Sequence, residues 1–339
     1  MHWNHRYLPH WKDSVTSKYP QGRHVPPDDI GASFYPELGC YSSRDPAVVA
    51  THITQLRVAG VGVIVVSWYP AGLADEEGPP PDPVIPVLLD AALAHDIKLT
   101  LHIEPYKGRT PQSVREDLQY IHSHYSNHPA FYKLERLDPN DGAMLHLPLI
   151  YIYDSYLSDA REWASIFKRG GPLSVRGTDE DCVAIALLVE HAHMKSAVDG
   201  GFDGVYTYFA AEGFSFGSTY TNWGTVSEFA AEKNLIFIPS FGPGYDDLQV
   251  RPWNRLSTRD RKNGAYYKEG FRRAKRSSRG GLVSITSFNE WGEGTQIEPA
   301  VPKITSSRTY LDYSPGRPDF YLQLTRDMAE ELPNDCGIT

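Results

Sequence analysis

Short apolar runs rich in β-branched and aromatic residues recur along the chain, and longer stretches with helical character separate them. The runs are DIGASFYPEL (29–38), VGVIVVSWYP (61–70), IKLTLHIEPY (97–106), LPLIYIYDSY (147–156), CVAIALLVE (182–190), FDGVYTYFA (202–210), LIFIPSFGPG (235–244) and GLVSITSFNEW (281–291). The fifth also reads as helix when it is extended to CVAIALLVEHAH. Helical stretches include DPAVVATHITQLRVAG (45–60) and VIPVLLDAALAHD (84–96). Asp45 before Pro46 fits an N-cap followed by proline in the first turn, and Gly60 fits a C-terminal stop. Eight strands alternating with helices over about 250 residues predict an α/β fold of the (β/α)8, TIM-barrel type. No internal repeat or low-complexity linker divides the chain, so residues 1–339 read as a single domain with extended loops after the strands. The loop AGLADEEGPPPDP (71–83) follows the second strand. It belongs to the face where barrels of this kind carry their sites, either as an ordinary solvated loop or as a lid over a groove.

Side chains alternate across a strand. In IKLTLHIEPY, Leu99, Leu101 and Ile103 share one face, and Thr100, His102, Glu104 and Tyr106 share the other. The apolar set should meet the helices and the polar set should point inward. In GLVSITSFNE, Val283 and Ile285 face the helices while Ser284, Thr286, Phe288 and Glu290 face inward. Both strands thus end in an inward carboxylate, and the other strands finish in FYPEL, SWYP, YIYDSY and YTYF. Tyr, Trp and acids at strand ends point to a catalytic pocket rather than a purely structural rim. Glu293 lies in the turn after Glu290, with Gly292 and Gly294 relaxing the backbone beside it. Elsewhere an E-x-x-E reads as a solvated turn; after an inward strand it brings two acids to one cavity. Two such acids push their pKa values apart, so one stays protonated while the other ionises, as general acid–base work needs. Glu298, before Pro299, reads as a structural or rim residue.

Composition narrows the class. Apolar residues make up 41% and charged residues 22%, which is globular rather than disordered. Aromatics reach 12%, with 21 Tyr and 7 Trp, the flat apolar faces with polar handles that a sugar groove uses. Lys plus Arg total 33 against 42 Asp plus Glu, and the net charge of −9 without a basic stripe argues against nucleic acid and suits a neutral substrate. No apolar run approaches the ~20 residues that cross a bilayer, so no membrane contact is expected of these residues. The opening MHWNHRYLPHW reads as internal sequence behind an initiator Met, which suggests a trimmed anchor or signal. Cys40, Cys182 and Cys336 make no disulfide framework; isolated thiols, or at most one pair, are expected. No Asn-x-Ser/Thr acceptor occurs. HSHYSNH (122–128) and HAH (191–193) invite a metal reading. Positions i and i+2 do not share a helical face, however, and neither cluster has a clear carboxylate partner. No metal or other cofactor is expected.

The stretches DIGASFYPELGCYSSRDP, VVSWYP, HIEPY, NHPAFY, YIYDSY, GFDGVYTYFA, FIPSFGPGYDD, RPWN and SFNEWGEGTQIEPAVPK resemble glycoside hydrolase family 99, the endo-α-1,2-mannosidases and mannanases. The resemblance spans nearly the whole chain. It implies a (β/α)8 barrel and retaining endo-cleavage without a required metal. It also implies a glucosylated mannose oligosaccharide of an N-glycan as substrate, released as Glc1–3-Man through a 1,2-anhydro sugar. By the same resemblance, Glu293 falls on the general acid and Glu290 on the base. Tyr35, Trp68, Tyr69, His102, Glu104, Asp154, Tyr208 and Asn289 fall in stretches that line the groove, and Tyr106 joins them from the HIEPY stretch. The Golgi lumen and a monomeric state follow as expectations. One position departs: Gly292 stands where the animal members carry His, which puts subsite specificity in question. A non-catalytic lectin and a polysaccharide-processing enzyme of a related barrel group are the competing readings. Incubation with a glucosylated mannoside would discriminate them.

Overall fold

The computed structural model describes residues 3–75, 78–137, 142–279 and 281–332. Six strands lie side by side in chain order: β1 (Val63–Trp68), β2 (Lys98–Ile103), then, past β3 (Lys133–Leu137), β4 (Met144–Ile152), β5 (Val183–Leu187), β6 (Gly204–Tyr206) and β7 (Ile236–Ile238). All of these neighbours are parallel except β3, which folds back antiparallel on the start of β4. A parallel pair, β8 (Ser240–Phe241) and β9 (Ser284–Ile285), continues the wall. The run LIFIPSFGPG divides at Pro239. That residue has no N–H to donate, and its carbonyl accepts from Ser284 N at 3.0 Å. The chain there leaves β6 for β9. Fully buried Ile185 on β5 settles the fifth run as strand.

The expected first strand does not form. Residues 29–38 make only isolated bridges, Phe34 with Leu311 and Pro36 with Ala300. Their backbone groups are committed elsewhere: Leu311 N donates to Ser33 O and Val301 N to Tyr35 O, both at 2.9 Å, and Glu37 N donates to Pro299 O at 2.9 Å. The segment is tied to the 299–311 return, so among the described residues no strand covers the free edge of β1.

Helices cover the outside. A single turn, α1 (Asp13–Thr16), precedes α2 (Pro46–Val58), where the Asp45 carboxylate caps Ala47 N as the sequence predicts. α3 (Ile85–Ala94) follows a 3-10 turn at Asp82–Val84, and α4 (Pro111–His124) starts with a Thr110/Ser113 capping box. α5 (Ala160–Phe167), α6 (Ala192–Gly200), α7 (Trp223–Glu232) and α8 (Ala265–Ser277) continue the alternation. α9 (Phe320–Ala329) returns to pack on α2. Gly60 (φ +78°) allows that approach, since a Cβ there would lie 2.8 Å from the Ala329 Cβ.

Strand alternation yields two cores. Leu99, Leu101, Ile103, Ile150, Ile152 and Val205 meet the helices, whereas Leu149, Tyr151, Val183, Ile185, Leu187 and Tyr206 fill the barrel. Each fully buried aliphatic side chain contributes about 1.5–3 kcal/mol. Cys40 is exposed and Cys182 buried, both as free thiols; Cys336 lies outside the described residues.

Candidate active site

A cavity of 580 Å³ runs along the free edge of β1, from Ile64 and the α2 residues Ile53 and Leu56 to the strand ends at Tyr69, Tyr208 and Glu290. Tyr69, His102, Tyr208, Asn289 and Glu290 line it, as do Ala74, Asp75, Pro79 and Pro81 of the loop after β1. The loop expected either as solvated or as a lid therefore forms part of the wall.

The turn carrying the two glutamates is braced from three sides. Glu290 N donates to Ser287 Oγ at 2.8 Å, and Gly292 N donates to the Glu290 Oε1 at 3.0 Å. Asp246 N donates to the Glu293 carbonyl at 2.8 Å. Gly294 (φ +63°) permits this contact, because a Cβ would fall 2.6 Å from the Asp246 carbonyl oxygen. Between the glutamates, Trp291 is buried, and its indole N–H donates to Glu298 Oε2 at 2.9 Å. Glu298 is itself buried and also accepts from Tyr41 Oη at 2.6 Å, with His52 Nε2 at 3.0 Å. It is a structural anchor of the turn. Arg261 holds the other end, with Nη2 donating to the carbonyls of Gly294 at 2.9 Å and Gln296 at 2.8 Å. Its guanidinium lies 4.5 Å from the Phe34 ring, 4.6 Å from Tyr321 and 5.0 Å from Tyr313. Such cation–π contacts hold a cation with little water.

Electrostatics separate the two acids. Burial pushes the Glu290 carboxyl up to about 7, the Glu293 charge adds to the rise, and the Gly292 N–H and Arg251 oppose it. Burial also raises Glu293, but Arg251 acts against the rise, with Nη1 3.1 Å from the Glu293 Oε1. The Glu293 side chain remains 23% exposed. The Arg251 cation against Glu293 favours ionisation of that carboxyl over Glu290.

Opposite the pair lies a ring of aromatic groups. His102 Nδ1 is 2.8 Å from Glu104 Oε1, and Nε2 is 2.6 Å from the Tyr206 hydroxyl. A neutral ring protonated at Nδ1 satisfies both contacts. Tyr208 stacks on His102 with centroids 5.9 Å apart, and Tyr153 meets Tyr208 edge-on. Burial raises the Tyr208 phenol well above its ordinary value, and the charges of Glu293 and Glu290 add to this, so it remains a donor beside both carboxylates. Arg109 donates from Nη1 to Tyr153 O at 2.6 Å and from Nη2 to Asp154 O at 2.8 Å. Burial raises the Asp154 carboxyl, while the Tyr156 hydroxyl and Arg109 act against it. Asp154 adopts φ 47°, turning the chain at the end of β4.

The expected groove residues divide. Tyr69, His102, Tyr208 and Asn289 line the cavity with Glu290; Glu104 lies behind His102, and Asp154 beside Arg109. Glu104 and Asp154 do not themselves line the cavity, nor does Glu293, which stands against Arg251. Three more expected groove residues turn elsewhere. Trp68, last on β1, points to the helical side, where its indole N–H donates to the Asp82 Oδ1 at 2.8 Å and its ring stacks on Tyr120. Tyr106 lies past the strand and its hydroxyl donates to the Asp117 Oδ2 on α4 at 2.6 Å. Tyr35 is carried away with the displaced 29–38 segment and packs on Tyr310 and Lys303. Position 292 also gains an account. A Cβ on Gly292 would press on Glu290 Oε1 at 3.1 Å but meet His5 Nε2 at 3.8 Å and Gly31 O at 3.9 Å, ordinary contact distances, so a side chain there bears on the Glu290 carboxylate alone. Residue-level reading missed Arg251, Tyr245, Asp247 and Arg261. The first three stand in the GYDD and RPWN stretches after the seventh strand run, and their signal was charge and phenol on the C-terminal face. Among the described residues no group of three or more His, Cys, Asp or Glu is arranged to hold a metal ion.

Residues 1–334 match the family described as Glycosyl hydrolase family 99. The glycoprotein endo-alpha-1,2-mannosidase-like protein of Homo sapiens is 52% identical over 332 residues, which are 98% of this chain and 71% of that protein. The glycoprotein endo-alpha-1,2-mannosidase of Rattus norvegicus is 50% identical over 336 residues, 99% of this chain and 71% of that one. The solved GH99 endo-alpha-mannosidase from Bacteroides thetaiotaomicron superposes with a TM-score of 0.86 at 42% identity, covering 97% of this chain and 91% of that one. On matches of this extent, the chain belongs to glycosyl hydrolase family 99 and is a glycoside hydrolase.

Proposed function

We propose that this enzyme is a retaining endo-α-1,2-mannosidase that cleaves glucosylated high-mannose N-glycans and releases Glc1–3-Man by way of a 1,2-anhydro sugar. The observation that carries the reading is that Glu290, which lines the cavity, and Glu293 stand three residues apart on one turn, close enough for the Glu293 charge to raise the Glu290 carboxyl. An ordinary retaining pair stands ~5–5.5 Å apart on opposite sides of the scissile bond, so that one carboxylate attacks the anomeric carbon. Two acids on a single turn suit a different division of labour. In an α-mannoside the C1 leaving group and the C2 hydroxyl are both axial and antiparallel. Glu290 takes the 2-OH proton, O2 attacks C1, the C1–O bond breaks, and Glu293 protonates the departing oxygen. Water then attacks C1 as Glu293 takes its proton, the C1–O2 bond opens, and Glu290 returns the proton to O2. Two inversions retain the configuration. Tyr69, Asn289 and Tyr208 orient the sugar, and Glu104 fixes the ring of His102. Each proton transfer is worth ~10²–10⁴-fold in rate.

The names of the mammalian relatives support a glycoprotein glycan as the substrate, and the Golgi lumen is the proposed place of action. Among the described residues no helix is long and apolar enough to cross a membrane. A panel of Glc1–3Man-capped and uncapped mannosides, with products identified by size and anomeric configuration, tests the proposal. Release of Glc1–3-Man with retention supports it; inversion, or release of single mannoses only, refutes it.

A further inference from the structure

We propose that Arg251 is a positioning residue of this reaction, whose guanidinium decides which of Glu290 and Glu293 holds the proton they share. The inference rests on reading those two glutamates as the acid and base. Arg251 Nη1 stands 3.1 Å from Glu293 Oε1, 3.2 Å from Asp247 Oδ2 and 3.4 Å from the Tyr245 hydroxyl. Asp247 is fully buried and is fixed by its other contacts: the Tyr245 hydroxyl donates to it at 3.0 Å and the Asn254 amide at 2.8 Å. The Arg251 backbone N donates to the Asp247 carbonyl at 2.7 Å. The cation is thus built in by a second carboxylate from its own loop. It is not a surface side chain that happens to lie near an acid.

The groups facing Glu293 are the Arg251 cation, the Asp247 and Glu290 carboxyls, and the phenols of Tyr245, Tyr208 and Tyr153. Arg251 is the one cation in direct contact with it that the structure shows among the described residues. A pair that shares one proton has two tautomers, and their ratio is fixed by neighbouring charge rather than by pH. A cation touching Glu293 favours the form with Glu293 ionised and Glu290 protonated. The reaction requires the other form, with Glu290 free to take the 2-OH proton and Glu293 able to protonate the leaving oxygen. One proton must therefore pass from Glu290 to Glu293 as the sugar binds: an O–H bond breaks on the first and forms on the second, with no change in net charge. Arg251 sets the cost of that transfer. Removing its charge also makes the shared proton harder to lose to solvent.

The test is the pH dependence of kcat and kcat/KM for the whole chain on a mannoside substrate. Arg251→Gln should move the alkaline limb upward by about one pH unit, whatever happens to the height of the profile. Arg251→Lys should keep the limb near its original position. Asp247→Asn, which takes a negative charge away from the same cluster, should move the limb downward and provides a second readout if Arg251→Gln folds poorly. A uniform loss of rate with unmoved limbs in these variants overturns the proposal and leaves Arg251 a structural residue. Near-normal turnover in Glu290→Gln or Glu293→Gln overturns the acid–base reading itself, a separate outcome.

Discussion

Glu298→Ala removes the acceptor at the centre of the turn's anchor. The wild-type carboxylate receives the Tyr41 hydroxyl at 2.6 Å, the Trp291 indole N–H at 2.9 Å and His52 Nε2 at 3.0 Å, in a site with 1% exposure. In the variant Trp291 keeps one partner, because its N–H also reaches Tyr41 Oη at 3.2 Å. The Tyr41 O–H and the His52 ring lose the Glu298 carboxylate, although the Tyr41 oxygen still accepts from Trp291 and, at 3.4 Å, from Asn289 Nδ2. Each buried donor left without its acceptor costs about 1–3 kcal/mol. We therefore expect Glu298→Ala to lose about 2–5 kcal/mol in urea unfolding monitored by tryptophan fluorescence. Glu298→Gln should lose about 1 kcal/mol, since its amide oxygen keeps the two donors on Oε2 and its N–H₂ can face a His52 ring in the other tautomer. Because Trp291 sits between the two catalytic candidates, kcat of the alanine variant should also fall by at least about 10-fold. A stability loss below about 1 kcal/mol for Glu298→Ala would refute the reasoning that this carboxylate holds the turn.

Other outcomes follow from single residues. Folded Glu290 keeps its proton to about pH 7 against an ordinary value of 4.5, so the unfolded chain binds fewer protons in that window and stability falls as pH rises through it. Glu290→Gln should match the wild type at pH 4 and exceed it by on the order of 1–3 kcal/mol at pH 8, while losing turnover; urea titrations at the two pH values read this. Gly292→His should cut kcat by about 10-fold, because its Cβ would press on Glu290 Oε1 at 3.1 Å; unchanged kcat would show that the carboxylate shifts aside at no cost. Tyr106→Phe should leave KM unchanged and lower stability modestly, because its hydroxyl serves Asp117 rather than the cavity; a large rise in KM would place it in the groove after all.

Much of this architecture was legible in the chain. Period-two alternation assigned Leu99, Leu101 and Ile103 to the helical side and His102 to the interior, and the structure shows that division. The Asp45–Pro46 cap and the E-x-x-E turn after the eighth run are local signals, readable because they depend on neighbours in sequence. The failures involve partners far away in sequence. Residues 29–38 have strand composition, but their backbone pairs with 299–311, about 260 positions on. Trp68 and Tyr106 sit at strand ends, where alternation breaks down and a nearby helix with an acid, Asp82 before α3 or Asp117 on α4, captures the polar tip. Arg251 and Arg261 were illegible because a basic residue in a loop gives no sign of which carboxylate or carbonyl it will meet. The sequence leaves Glu298 as a structural or rim residue, and the contacts of Tyr41, His52 and Trp291 that converge on it make it structural.

The central claim is that the sugar's own O2 expels the leaving group while two glutamates of one turn move the protons. Its most direct test is a glucosyl-capped mannoside whose reacting mannosyl residue carries hydrogen in place of the 2-hydroxyl. The account predicts that this compound binds competitively with the normal substrate yet yields no cleavage product over a time course in which the parent compound is consumed. Turnover of the 2-deoxy compound at a rate comparable to the parent, with retention, would contradict it and require a carboxylate to attack the anomeric carbon instead.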